Sequence, residues 1–171
     1  MRIYFINQPL WREATIRATT HYSIAVTLVN QKSDFDAAIV HFNAALRYNP
    51  NLAPARQGLA LMLIKKGRLA EAVEQGLLAL QRAPGLLGAQ IAVSDGLLGL
   101  GRFDEAEPHI AAALQLQPNS ADAHYAAALF LIHQGKTDDA ILHLQEAMKL
   151  DPTSGKYRTK LSELENPRAQ P

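Results

Sequence analysis

Ala38, Ala72, Ala106 and Ala140 fall 34 residues apart, and each is followed seven residues later by a second alanine, Ala45, Ala79, Ala113 or Ala147. Twelve residues after each first alanine stands a proline, Pro50, Pro84, Pro118 or Pro152. A chain that repeats at this period builds helix–turn–helix units, each too small to bury its apolar face alone and so obliged to stack on its neighbours. The alanines have a steric reason: two closely crossing helices leave room for a methyl group, and a larger side chain costs about 1–3 kcal/mol of strain. The prolines end the units, since proline cannot continue a helix and disfavours helical geometry in the residue before it.

The period divides the chain into units 19–52, 53–86, 87–120 and 121–154. In each, a first apolar-periodic helix is expected to end near Ser33, Gly67, Gly101 or Gly135, glycine being suited to the left-handed backbone that closes a helix. Phe35, Leu69 or Phe103 then leads into a second helix, with Thr137 at that place in the last unit. Asp36, Asp104 and Asp138 mark its start as expected capping acids. Residues 1–18 precede the units, and the spacing of Trp11, Ala14, Ala18, Tyr22, Ala25 and Val29 predicts a helix running into the first of them from Pro9. Residues 155–165 read as a closing helix with Tyr157, Leu161 and Leu164 on one side, and 166–171 as a disordered tail. Gly76 occupies a place filled by Phe42, Ile110 and Leu144 in the other units. The sequence alone therefore predicts a hole there, and with Gly88, Gly96 and Gly99 a weak middle to the array.

These residues resemble tetratricopeptide repeats, whose pattern has a large residue at the fourth place, leucine at the seventh, small residues at the eighth, twentieth and twenty-seventh, and proline at the thirty-second. The second unit supplies Leu59, Ala60, Ala72, Ala79 and Pro84; the fourth supplies Ala128, Ala140, Ala147 and Pro152. Arg56 and Gln90 depart from the large fourth residue, and Ala127 stands where leucine is usual. The resemblance implies an all-α, right-handed α-solenoid of four such repeats plus a closing helix. It also implies a non-enzymatic scaffold that binds a peptide or helix of a partner protein in its concave groove.

Little in the chain points to chemistry. With 17 basic and 16 acidic side chains the net charge is +1, which gives no field to recruit nucleic acid. There is no cysteine, so disulfides, thiolate nucleophiles and cysteine-bound zinc are excluded together. His41, His109 and His143 recur at one place of the repeat and read as outward echoes in different units rather than as metal ligands, which must converge. No catalytic, cofactor or metal residue is assigned. No apolar run is long enough to span a membrane and the amino terminus is too short of apolar residues for a signal peptide, which favours the cytoplasm.

By the same resemblance, the second, fifth, sixth, ninth, twelfth and thirteenth places of each unit face the groove. The residues assigned to partner binding are Leu61, Ile64, Ile91, Asp95, Leu98, Asp122, Tyr125, Leu129, Ile132 and His133. They predict a ligand with an apolar or amphipathic segment, because a continuous apolar strip marks an interaction site. The lysine and asparagine places of the clamp that grips chaperone carboxyl termini hold Ser23, Thr27, Gly58, Gly88 and Ala92 instead, so that use is not expected. The apolar group Ile3, Tyr4, Phe5, Ile6 and Trp11 suggests self-association through the amino-terminal segment. An alternative reading makes the array a regulatory or substrate-presenting module of a larger enzyme. Leu10, Trp11 and Arg12 resemble the join in bacterial membrane glycosyltransferase-like proteins that carry such repeats.

Overall fold

The computed structural model describes residues 8–32 and 34–165. The expectations for Ile3–Ile6, for Ser33 and for a tail at 166–171 lie outside those residues. Nine α-helices are described: α1 Gln8–Thr27, α2 Phe35–Tyr48, α3 Ala53–Lys65, α4 Leu69–Arg82, α5 Leu87–Gly99, α6 Phe103–Leu116, α7 Ala121–His133, α8 Thr137–Leu150 and α9 Gly155–Glu165. They form hairpins α1–α2, α3–α4, α5–α6 and α7–α8, closed by α9 on α8. The first helices also touch one another, α3 on α5 and α5 on α7, which makes the chain an α-solenoid.

The eight framework alanines are all 0% exposed, so the period of the sequence is the period of the helix crossings. Three turns are closed by Gly67, Gly101 and Gly135 at φ of 71°, 72° and 73°. There the amides of Arg68, Arg102 and Lys136 donate to the carbonyls of Leu63, Leu97 and Leu131, which satisfies the helix end. The first helix of the first unit ends differently, in a π-helical turn Leu28–Lys32 with the Asp34 amide donating to the Leu28 carbonyl at 3.3 Å. The β-branched run in α1 is tolerated because Thr15, Thr19, Thr20 and Thr27 each donate their hydroxyl to a carbonyl one turn back.

Three expectations are corrected. Asp36, Asp104 and Asp138 lie inside the first turns of α2, α6 and α8; the capping residue of α2 is Asp34, whose Oδ1 accepts from the Ala37 amide at 3.1 Å. These acids therefore meet the helix dipole and do not cap. Gly76 leaves no hole, because a β-carbon there would stand 2.5 Å from Val93 Cγ2. Gly96 is its mirror image, with Val73 Cγ2 2.6 Å from the β-carbon position. Two valine–glycine pairs thus interlock α4 and α5, and the middle of the array is a close-packed crossing.

The histidines, too, are not outward. His41 and His143 are half-buried and face His21 and His124 across their hairpins, Nδ1 to Nδ1, at 3.0 and 2.9 Å. His109 Nδ1 lies 2.7 Å from Gln90 Oε1, and Arg56 Nη1 donates to Gln75 Oε1 at 2.6 Å. The polar fourth-place residues, Arg56 and Gln90 and with them His124 and Arg158, also reach back to the proline that closes the preceding unit. Arg56, Gln90, His124 and Arg158 meet the carbonyls of Pro50, Pro84, Pro118 and Pro152 at 3.1, 3.2, 2.8 and 3.1 Å. A large apolar residue at this place would fill space; these polar ones fill it and satisfy a carbonyl at the unit junction.

Candidate functional site

The residues assigned to the groove divide into groups when placed on α3, α5 and α7. Asp95 and Leu98 of α5 and Tyr125 and Leu129 of α7 come together around a cavity of about 280 Å³, completed by Gly99 and Phe103. Leu61 lines a separate cavity of about 250 Å³ with Tyr22, Val26, Phe42, Gln57 and Met62, between the first two units. Ile64 is half-buried and packs on the core of those units. Ile91 and Leu98 of α5 are each 8% exposed and belong to buried clusters; Ile91 packs with Ala113 and Ala123 and lines neither cavity, whereas Leu98 keeps one edge on the first. His133 is exposed and stacks on Phe103 with ring centroids 3.5 Å apart, forming an outer wall beside the first cavity.

The carboxyl-terminal end of the strip is already engaged by α9. Asp122 accepts from Lys156 Nζ at 2.6 Å and from the Tyr157 hydroxyl at 2.7 Å. Burial would raise the Asp122 carboxyl, but these two hydrogen bonds and the charge of Lys156 hold it below its ordinary value. Burial and the bond to Asp122 together push the Tyr157 hydroxyl up. Lys156 Nζ also stands 5.0 Å from the Tyr125 ring centroid and 4.9 Å from that of Tyr157, within cation–π reach. Ile132 packs in the cluster that includes Leu161 and Leu164 of α9. Two lysines of α9 are engaged within the chain, Lys156 by Asp122 and Lys160 by Glu163 at 2.7 Å.

Asp95 is the contrast. Burial raises its carboxyl to about 6, with Asp122 adding to the rise and Lys156 and Lys65 opposing it. Among the described residues, no hydrogen bond or ion pair reaches its side chain, and its carboxylate oxygens are open to solvent through the cavity. Sequence reasoning found Asp95 but missed Phe103, which it read only as the lead into the second helix. The signal was present, since Phe103 lies only four residues beyond Gly99, at the mouth of the same hairpin. Among the described residues there is no group of three or more histidines and acids able to hold a metal ion, and no helix is long and apolar enough to cross a membrane.

Family models described as tetratricopeptide repeats match residues 30–85 and 94–155. The chain is a tetratricopeptide repeat (TPR) protein. Among solved structures, its fold is similar to that of TTC0263, a thermophilic TPR protein of Thermus thermophilus, with a TM-score of 0.75 and 25% identity over 89% of this chain and 83% of that one. It is also similar to MamA, from residue 41 to its end, of Desulfovibrio magneticus RS-1, with a TM-score of 0.69 and 22% identity over 89% and 85%. A structure of the APC/C hetero-tetramer Cut9–Hcn1 shares the fold over 86% of this chain but 29% of its own, with a TM-score of 0.75 and 17% identity. No curated protein sequence matches the TPR array. Its fold and repeats make it a protein-interaction scaffold in general terms.

Proposed function

We propose that this TPR array is a non-enzymatic scaffold that holds an apolar or amphipathic segment of a partner protein along the face of α3, α5 and α7. The observation that carries this reading is the cavity between α5 and α7, where Asp95, Leu98, Tyr125 and Leu129 of two successive units converge with Phe103. Its walls are mainly apolar, and each Å² they lose to a ligand contributes about 25 cal/mol. Aromatic residues anchor such sites more often than their numbers suggest, which favours Tyr125 and Phe103 as contacts. The cavity lined by Leu61 lies on the same run of first helices and would receive a more distant part of an extended ligand. The same reading includes self-association through the amino-terminal part of α1, where Leu10, Trp11 and Ile16 are 66%, 55% and 64% exposed.

The test is capture of the natural partner by a Tyr125→Ala, Leu129→Ser double variant. Loss of capture is expected with the helical circular dichroism retained and the melting point lowered, since Tyr125 and Leu129 also pack on the core. Undiminished capture by the folded variant would move the site to another face.

A further inference from the structure

We infer that the cavity at Asp95 is a cation-accepting subsite, which takes one lysine or arginine side chain of the bound segment while apolar residues on either side of it contact the walls. The inference rests on the reading of this face as the binding surface and gives its ligand a charge. Asp95 and Asp122 are the acids of the strip, and they differ in one respect. Asp122 is satisfied by Lys156 and Tyr157. Asp95 lines the open cavity with Leu98, Gly99, Phe103, Tyr125 and Leu129 and holds no partner among the described residues. Burial raises its carboxyl to about 6; Lys156 and Lys65 oppose that rise through space, but neither forms an ion pair with it.

The shape suits a basic side chain better than a small cation. Lysine and arginine carry an apolar stem that can lie along Leu98 and Leu129 while the charged head meets the carboxylate. Phe103 and Tyr125 can present ring faces to that head. The molecule contains a worked example next door: Lys156 is seated by one carboxylate, Asp122, and two tyrosine rings, Tyr125 and Tyr157. A cavity of about 280 Å³ is large enough for one such side chain and part of a neighbouring apolar one.

The probe is a library of random dodecapeptides displayed on phage, selected in parallel on the wild-type chain and on Asp95→Asn, with circular dichroism confirming the fold of both. The wild type is expected to enrich peptides with one lysine or arginine flanked by aliphatic or aromatic residues, and Asp95→Asn to enrich apolar peptides without the basic residue. A peptide selected on the wild type should lose at least about tenfold in affinity on Asp95→Asn, and a similar amount when its basic residue is changed to leucine. The two changes together should cost little more than either, since they remove one interaction. Apolar peptides with no basic preference, still lost on Tyr125→Ala with Leu129→Ser, overturn the subsite and leave the binding face standing. Peptides indifferent to that double variant, or none recovered at all, overturn both.

Discussion

Gly76 shows how a single residue can mislead when it is compared only with its sisters in the other units. Phe42, Ile110 and Leu144 fill the equivalent place, so its missing side chain reads as a void, yet Val93 from the next unit supplies the atoms. The signal was in the sequence as two Val-x-x-Gly strings, Val73 to Gly76 and Val93 to Gly96, but only an antiparallel crossing of α4 and α5 turns them into complementary pairs. Gly76→Ala should therefore destabilise the chain. Overpacking of about 1–3 kcal/mol outweighs the roughly 1 kcal/mol that alanine gains over glycine in a helix. Denaturant unfolding should show a lower midpoint at unchanged slope, with part of the loss recovered when Val93→Ala is added. A Gly76→Ala variant more stable than wild type would mean that the valine can turn away.

The hairpins were legible from periodicity, but the ties across them were not, because a polar residue on a helix face reads as solvated until its partner 19 or 20 positions away is known. The α7–α8 tie has a definite proton order. His124 Nε2 faces the Pro118 carbonyl and must donate, which leaves its Nδ1 as the acceptor for the Nδ1–H of His143. One proton can be added at His143 Nε2 without loss of this bond; a second sets two N–H groups against each other at 2.9 Å. Burial, and then the charge of His124, lower His143 from its ordinary value of 6.5, with Asp139 opposing. The unfolded chain therefore takes up protons first as pH falls, so the stability linked to burying a neutral His143 is full above about 6.5 and falls below it. Thermal melts should show a drop in Tm between about pH 7 and pH 5. His124→Arg with His143→Gln, which reproduces the Arg56–Gln75 pair of the second unit, should make that drop smaller. An identical drop in the double variant would place the acid sensitivity elsewhere.

For the whole molecule, the solenoid was readable because stacking is dictated by a period of 34, while the binding strip was only half readable, because α9 claims part of it. Place-by-place assignment cannot tell that Asp122 and Ile132 are taken by a helix of the same chain and that Asp95 is not. At the other end, α1 is 20 residues long where α3, α5 and α7 have 13, and its extension carries the exposed Leu10, Trp11 and Ile16. Deleting residues 1–8 and replacing Leu10 and Trp11 by serine should convert a dimer into a monomer in light scattering. A wild-type chain that stays monomeric at high concentration would remove self-association from the reading. The contact from each fourth-place side chain to the preceding proline carbonyl has a different kind of consequence. Its donors, Arg56, Gln90, His124 and Arg158, and its acceptors, Pro50, Pro84, Pro118 and Pro152, both recur at 34. Any window of that length copied in tandem carries one complete donor and one complete acceptor across its new seam. Such a chain can grow by duplication of its gene segment without first having to invent a junction.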